Sequence, residues 1–335
     1  MPVYRGMLRD MAALNQTVVL AGATGYIGQH VAAALVAEGY HVIALVRSPP
    51  GSDRADALQH CEVRVTEVTD AAALRRTLAD VHAHAIVSCL ASRNGAPDDA
   101  QRVDYGANRN LLDLAPSLGV SQFVLLSAIC VQKPRLAFQH AKLAFERELM
   151  ASGVGYTIVR PTAFFKSISG QVARVRDGKP FLVFGKGTET ACKPISERDV
   201  ARYLVDSIDN PGRRDTVLPI GGPGPAVTPI DQGKLLFELA GKPATFRRVP
   251  VALFRVVIAL LAPLSRLIPA LAAKAEFARI GHYYATESML VWDADAACYD
   301  AGATPSTGTD TLRAHYAQAL SSTDGDDALG AHKLF

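Results

Sequence analysis

Residues 17–28, TVVLAGATGYIG, decide the fold of this 335-residue chain. A short β-branched run leads into Gly22, Gly25 and Gly28, and the helix-like segment QHVAAALVAEG follows. Glycine permits a tight turn at the first position, close approach of a phosphate at the second, and close packing of helix on strand at the third. Since the N–H groups at the start of a helix attract anions, this stretch predicts a strand–turn–helix unit that binds a dinucleotide pyrophosphate.

The alternation of strand and helix continues to about residue 160. Helix-like segments separate six apolar, β-branched runs, at 17–22, 41–47, 62–68, 83–90, 122–128 and 156–161. Apolar strands joined by helices are typical of a parallel sheet that is covered on both faces. The sequence therefore predicts an α/β protein with a doubly wound parallel Rossmann sheet, whose ligands bind at the carboxyl ends of the strands.

The end of the second predicted strand indicates which dinucleotide binds. NAD-binding proteins of this kind carry an acidic residue there, whereas this chain carries Arg47 followed by Ser48. A guanidinium and a hydroxyl suit a 2′-phosphate, so the predicted cofactor is NADPH. An arginine at a strand end is also an ordinary surface residue, and that alternative stays open.

The pattern changes after Pro161, where a smaller, partly helical C-terminal region is predicted to bind the substrate. A helix at 164–177, a strand pair around 181–187 and a helix at 197–208 come before TVLPIGG (216–222), which returns to the sheet. The predicted division is a flexible N-terminal tail (1–16), an NADP-binding Rossmann domain (17–160, with later elements from about 190–222), a substrate-binding region (161–189 and 223–320) and a polar C-terminal tail (321–335).

Composition and charge argue against several classes of function. The net charge of +3 comes without a basic stripe, so no nucleic-acid partner is expected. Five scattered cysteines without a CxxC pair are typical of free thiols in a reducing compartment, and no metal site is expected. The first sixteen residues lack a secretory signal, so a bacterial cytoplasmic location is expected, with the oligomeric state left open.

The apolar segment 249–273 has three interpretations. Arg255 and Pro263 interrupt it, and it falls short of the roughly 20 apolar residues that span a bilayer. It could cover a flat ligand, contact a membrane surface as an interfacial helix, or lie buried as a core helix.

A helix is predicted at residues 137–146, AFQHAKLAFE, directly after the fifth strand. Its pattern puts Lys142 at the edge of the buried face, where it would either contact the ribose of the cofactor or extend to solvent. Many nicotinamide-dependent reductases have a tyrosine four residues before such a lysine, but Phe138 stands there in this chain. The helix thus predicts a cofactor-binding lysine without a neighbouring hydroxyl.

Longer stretches resemble one family of enzymes. They are SCLASRNG (88–95), FVLLSAICVQKP (123–134), FQHAKLAFE (138–146), IVRPTAFFKSISGQV (158–172), ACKPISERDVA (191–201), LPIGGPG (218–224) and GHYYATESM (281–289). With GATGYIG they resemble the NmrA-like atypical short-chain dehydrogenase/reductases, and among these the NADPH-dependent divinyl chlorophyllide a 8-vinyl-reductases. The resemblance covers about residues 17–320.

The resemblance implies reduction of the 8-vinyl group of a magnesium-containing divinyl (proto)chlorophyllide to ethyl, in chlorophyll and bacteriochlorophyll biosynthesis. If 249–273 is an interfacial helix, the expected contact is a peripheral one with the photosynthetic membrane. Reduction of a vinyl group forms no oxygen anion, so no phenol is needed and Phe138 can pack against a flat substrate. Alternatives are a non-catalytic NADP-binding redox sensor, a reductase or isomerase of another aromatic substrate, and a structural assembly subunit.

The predicted site combines the ends of the strands with these motifs. The predicted catalytic residues are Lys142, Ser127 and Tyr283, with Tyr283, Tyr284 and Glu287 as alternative proton donors. The predicted cofactor-binding residues are Gly22, Thr24, Gly25, Tyr26, Ile27, Gly28, Arg47, Ser88, Leu90, Ala91, Ser127, Lys142, Pro161 and Thr162. The predicted substrate pocket consists of Phe138, Phe164, Phe165, Tyr284 and Glu287.

Overall fold

A computed structural model describes residues 16–93, 95–264 and 269–322 of the chain. Its first eight strands are β1 (Thr17–Ala21), β2 (His41–Val46), β3 (Glu62–Val65), β4 (Ala85–Ser88), β5 (Gln122–Leu126), β6 (Gly155–Pro161), β7 (Phe181–Phe184) and β8 (Thr216–Ile220). All of these except β7 form one parallel sheet in the order β3-β2-β1-β4-β5-β6-β8. The predicted doubly wound fold is confirmed.

Helices cover both faces of this sheet. They are α1 (Tyr26–Ala37), α2 (Ser52–Leu58), α3 (Ala71–Thr77), α4 (97–114, with a central π-helical part at Ala100–Ala107), α5 (Ala137–Ala151) and α7 (Glu197–Asp206), while α6 (Val172–Arg176) packs in a separate core with β7. Alternate residues of β1 enter opposite cores, because side chains of a strand alternate between its faces. Leu20 packs in the core that contains residues of α1 and α7, and Val19 packs in the core that contains residues of α3, α4 and α5.

The rest of the chain adds smaller elements beside the carboxyl ends of the strands. They are α8 (Pro229–Leu239), β9 (Phe246–Val249), α9 (Ala252–Leu264), α10 (Pro269–Thr286), β10 (Val291–Asp293), β11 (Cys298–Asp300) and α11 (Leu312–Ser321). The predicted strand pair around 181–187 is wrong, because β7 pairs in parallel with the distant β9. The predicted helix at 164–177 is also wrong. It is divided around Gly170 into a short 3₁₀ turn, Lys166–Ile168, and α6.

Within the apolar segment 249–273, residues 252–264 form α9 and residues 269–273 begin α10, while residues 265–268 lie outside the described residues. Leu253, Val256 and Leu260 on α9 are each more than half exposed, and so is Phe277 on α10. The interpretation of α9 as a buried core helix is therefore wrong. Among the described residues, no helix combines the length and apolarity needed to cross a bilayer. The predicted terminal tails lie almost entirely outside the described residues.

Candidate active site

The turn between β1 and α1 depends on glycine. Gly22 has a φ of +81°, and a Cβ there would lie 2.7 Å from the carbonyl oxygen of Cys89. A Cβ at Gly28 would lie 2.0 Å from the Gly22 oxygen, so a larger residue would push α1 off the strand. Gly25 is the N-cap of α1 and provides no side-chain cap. The backbone N–H groups of the first turn are consequently available to a phosphate.

Two residues at the start of α1 direct their side chains away from the predicted phosphate site. The Tyr26 hydroxyl donates to Glu197 at 2.5 Å, and the Tyr26 ring contacts Phe164 at 6.4 Å between centroids. The Ile27 side chain is buried in the core. Tyr26 and Ile27 can therefore serve the predicted cofactor site through their backbone N–H groups, as can Thr24 just before them.

Arg47 and Ser48 are exposed at the carboxyl end of β2. The parallel register pairs Ala21 with Leu45, so this end lies next to the glycine turn. The Arg47 guanidinium is therefore within reach of a nucleotide whose phosphates bind at the N-terminus of α1.

The residues after β4 connect the sheet to α4 and α5. The buried Ser88 hydroxyl donates to Asn108 of α4, so this predicted cofactor contact has a structural partner. The carbonyl oxygen of Leu90 accepts a 3.4 Å hydrogen bond from the Lys142 ammonium. Ala91 follows on the surface.

Lys142 forms a buried ion pair that the sequence did not suggest. Its Nζ lies 3.0 Å from Oδ1 of Asp104, in the π-helical part of α4, and the side chains of Lys142 and Asp104 are 9% and 1% exposed. The alternative that Lys142 extends to solvent is therefore wrong. The Asp104 contact is an ion pair without hydrogen-bond geometry, so the Leu90 bond and this pair leave at least one of the three ammonium protons for a further acceptor such as a ribose hydroxyl. In the sequence, the signal for this ion pair was that Asp104 is an acidic residue on the otherwise apolar face of α4.

The Ser127 hydroxyl also has a buried partner. It donates to Glu146 of α5 at 2.5 Å, and the fully buried Glu146 carboxylate is paired with the Arg160 guanidinium. A hydroxyl has only one proton, so Ser127 can act towards a ligand only as an acceptor. The catalytic role predicted for Ser127 stays a prediction, with acceptance of a hydrogen bond as the role that this geometry leaves.

A cavity of about 260 Å³ lies at the carboxyl ends of β5 and β6, against β7 and the end of α10. Apolar side chains dominate its wall, as is usual for sites of organic ligands. Among the residues singled out from the sequence, those that line it are Ser127, Pro161, Thr162, Phe164, Tyr284 and Glu287. The cavity adjoins the predicted nicotinamide end of the cofactor site, because Ser127 and Pro161 belong to both.

Two predicted lining residues lie elsewhere. Phe165 is 2% exposed and packs on His315 at 5.1 Å between ring centroids, so its predicted place in the pocket is wrong. Phe138 does not line the described cavity. It packs against the neighbouring apolar cluster that contains Cys130 and Ile280.

Two of the three predicted proton donors have structural partners. The Tyr283 hydroxyl donates to the carbonyl oxygens of Cys130 and Lys133, at 2.9 and 3.1 Å. Glu287 accepts from Lys133 and Arg135 at 2.8 Å each. Burial acts to raise the pKa of Glu287, but hydrogen bonds from Lys133 and Tyr299 outweigh it and hold this pKa below its usual value. The Tyr283 proton is thus committed to the backbone and Glu287 is held ionised, so the geometry favours Tyr284, while the catalytic roles of all three residues stay predictions.

The arrangement fits a nicotinamide dinucleotide. The glycine turn offers uncapped N–H groups, and the Lys142 ammonium retains one proton beyond its two described contacts. Within 16–93, 95–264 and 269–322, no group of three or more His, Cys, Asp or Glu side chains could hold a metal ion. The chain is thus equipped for reduction by a bound nucleotide beside an apolar cavity.

Known proteins agree with this picture. A family model described as NAD(P)H-binding matches residues 22–211, more than half of the chain. An NADPH-dependent quinone oxidoreductase from Escherichia coli, solved in complex with NADPH, has a TM-score of 0.64 at 20% identity and covers 91% of this chain and 98% of its own. That likeness establishes the fold alone, whereas the family match establishes a nicotinamide cofactor.

Two plant proteins show much higher identity. The one from Oryza sativa subsp. indica is 45% identical over 98% of this chain and 84% of its own length. The one from Cucumis sativus is 45% identical over 100% of this chain and 84% of its own. Both are named divinyl chlorophyllide a 8-vinyl-reductase, chloroplastic.

These relatives correct one prediction and settle the family. They are chloroplastic plant proteins, so the predicted bacterial cytoplasmic location is contradicted, whereas contact with the photosynthetic membrane stays a prediction. Their identity to this chain extends over nearly its whole length, across the nucleotide turn, Lys142 and the cavity. The chain therefore belongs to the divinyl chlorophyllide a 8-vinyl-reductase family.

Proposed function

We propose that this chain uses NADPH to reduce the 8-vinyl group of divinyl chlorophyllide or divinyl protochlorophyllide to ethyl, in the biosynthesis of chlorophyll or bacteriochlorophyll. The observation that carries the proposal is the 45% identity, along 98% of the chain, to a reductase of that name. The geometry supports it, because an apolar cavity adjoins a nucleotide site that has a lysine but no phenol four residues before it.

In this proposal the first turn of α1 binds the pyrophosphate, and Arg47 and Ser48 bind the 2′-phosphate. Lys142 donates its remaining proton to a nicotinamide ribose hydroxyl, while Asp104 fixes the ammonium in place. Ser127, whose own proton goes to Glu146, accepts a hydrogen bond at the nicotinamide end. NADPH, when bound, supplies the hydride that turns the outer vinyl carbon into a methyl group.

The size of the cavity restricts how the pigment binds. Its volume of about 260 Å³ lies below the range of about 300–1,000 Å³ for ligand pockets, and a tetrapyrrole needs more. The edge of the macrocycle that carries the vinyl group therefore enters, and the remainder stays at the mouth. Phe164 and Tyr284 on the wall supply flat apolar surface for the edge that enters.

Phe138 is consistent with this chemistry. A carbonyl reductase needs an acid beside the oxygen on which negative charge develops. Hydride addition to a vinyl group instead leaves charge on a carbon that is conjugated with the macrocycle. No hydroxyl is needed beside Lys142, and the position is free to hold an apolar ring.

The decisive test is conversion of the pigment. Purified protein incubated with NADPH and either divinyl pigment should shift the Soret band to shorter wavelength and yield the 8-ethyl product. Tight binding of NADPH with no shift for either pigment would contradict the proposal. That result would favour a nucleotide sensor or an assembly subunit.

A further inference from the structure

The reduction needs one proton, and the structure indicates where it comes from. Once the outer vinyl carbon has received hydride, the electron pair of the former double bond resides on the inner vinyl carbon and the conjugated ring. This carbon must form one C–H bond to complete the ethyl group. The inference drawn from this requirement rests on the proposed function.

Several polar groups at or just behind the cavity wall have already committed their protons or are ionised. Ser127 donates to Glu146, and Thr162 donates to the carbonyl oxygen of Lys193. Tyr283, just behind the wall, donates to two backbone carbonyls. Glu287 accepts from three donors, and its lowered pKa keeps it ionised near neutral pH. None of these groups is an available acid.

Cys130 and Tyr284 form a contacting pair on this wall. Both line the cavity, and the Tyr284 hydroxyl lies 4.0 Å from the Cys130 sulfur. Cys130 is three residues beyond Ser127 and thus close to the nicotinamide end of the cleft. Its thiol is 2% exposed and is shielded from bulk water.

A second donor is held near this pair. Gln139 of α5 is fully buried, and its Oε1 accepts from the backbone N–H groups of Arg135 and Leu136. Its Nε2 makes no hydrogen bond of good geometry among the described residues, but it interacts with the Cys130 thiol closely enough to lower the pKa of that thiol. An unpaired buried N–H is costly, and a nearby anion would satisfy it.

We propose that the Cys130 thiol protonates the inner vinyl carbon and that Tyr284 stabilises the thiolate that results. The S–H bond breaks, a C–H bond forms, and the sulfur keeps the electron pair. The Tyr284 hydroxyl then donates to the thiolate, and a proton from solvent restores the thiol after the product leaves.

The electrostatic surroundings support both forms of the sulfur. Burial raises the pKa of the Cys130 thiol, so the thiol carries its proton at neutral pH. Gln139, Tyr284 and the charge of Lys142 act to lower this pKa and thereby favour the thiolate. Cys192, on another part of the same wall, accepts from the Gln232 amide at 3.9 Å but directs its own proton to the carbonyl oxygen of Val227, and burial raises its pKa to about 12.

The first test replaces the acid. Cys130→Ser keeps the shape of the side chain but offers a much weaker acid, so kcat should fall by about 10²-fold or more, the range for loss of a general acid. The Kd for NADPH, from fluorescence titration, should not change. Cys61→Ser, at a half-buried cysteine outside the cavity, is the matched control. A Cys130→Ser enzyme with wild-type kcat would overturn the inference.

The second test follows the new C–H bond. In D₂O the inner carbon becomes a chiral CHD group, so its configuration reports the face on which the proton arrives. The wild-type product should have one configuration, and the slow product of Cys130→Ala should be a mixture from random protonation by solvent. A single, unchanged configuration from Cys130→Ala would mean that another enzyme group is the acid.

The third test needs no turnover. The pH dependence of Cys130 alkylation, followed by mass spectrometry on protein without nucleotide, gives the thiol pKa. Tyr284→Phe should shift that dependence to higher pH, and an unchanged curve would contradict the role of Tyr284. Circular dichroism should verify that each variant is folded.

Failure of the inference and failure of the proposed function give different results. A wild-type protein that converts neither pigment overturns both. If wild type converts the pigment and Cys130→Ser converts it equally fast, the inference is overturned and the proposed function stands.

Discussion

Lys142 and Asp104 meet in a nearly water-free place, and each depends on the other. Breaking a buried ion pair by removing one partner costs about 3–5 kcal/mol, because a charge remains unpaired. Lys142→Met should therefore lower the free energy of unfolding by about that amount and should also weaken NADPH binding. Urea denaturation and nucleotide titration measure the two effects separately.

A double variant is the matched control for this prediction. Lys142→Met combined with Asp104→Leu removes both charges, so it should recover most of the stability. NADPH binding should stay weak, because the ammonium is still missing. Recovery of nucleotide binding in the double variant would show that Lys142 has no direct role in the cofactor site.

Phe138 allows a second test on a single residue. Phe138→Tyr restores the tyrosine-x-x-x-lysine pattern of many carbonyl reductases, but the vinyl substrate has no reacting oxygen for the phenol to serve. We expect no increase in kcat for the divinyl pigment. A large increase in a pigment assay would contradict the explanation given for Phe138.

Helix α10 is attached to its surroundings through the carboxylate of Glu287. Lys133 and Arg135 reach this carboxylate from the loop before α5, and Tyr299 reaches it from β11. The Lys133 ammonium also lies 3.9 Å from the centroid of the Trp292 ring. One ionised group thus connects α10 to two other parts of the chain.

This connection predicts a pH dependence of stability. The pKa of Glu287 is lower in the folded protein, so its contribution is complete above the unfolded value of about 4.3 and disappears as the pH falls through the folded value. Glu287→Gln should be less stable than wild type at pH 7, and this difference should shrink below pH ~4. Thermal melts of both proteins across this range would test it, and a constant difference would contradict it.

The proposed preference for NADPH becomes measurable at the scale of the whole molecule. A ligand at 100 times its Kd raises the free energy of unfolding by about 2.7 kcal/mol. If Arg47 binds the 2′-phosphate as proposed, NADPH should raise the melting temperature more than NADH at equal concentration. Arg47→Ala should abolish that difference and leave the effect of NADH intact, whereas a preserved difference would mean that other residues select the cofactor.

The sheet could be predicted because local patterns determine it. Each strand is a continuous apolar run, and Gly22 and Gly28 mark the turn within a few residues of the first strand. The side-chain partners within the site could not be predicted in this way. Asp104 and Lys142 are distant in sequence and meet only when α4 and α5 pack on the same face of the sheet. The same holds for Cys130 and Tyr284, which come from different regions.

Tyr26 has a consequence for the order in which ligands bind. It stands in the nucleotide turn, its hydroxyl is bonded to the first residue of α7, and its ring contacts Phe164 on the cavity wall. Occupation of the turn should therefore help to set the shape of the cavity, so the nucleotide binds first and the pigment second. Such coupling is reciprocal and typically about 5–150-fold, so NADP⁺ should tighten pigment binding by the same factor by which the pigment tightens NADP⁺. Equal pigment affinity with and without nucleotide would instead indicate random addition.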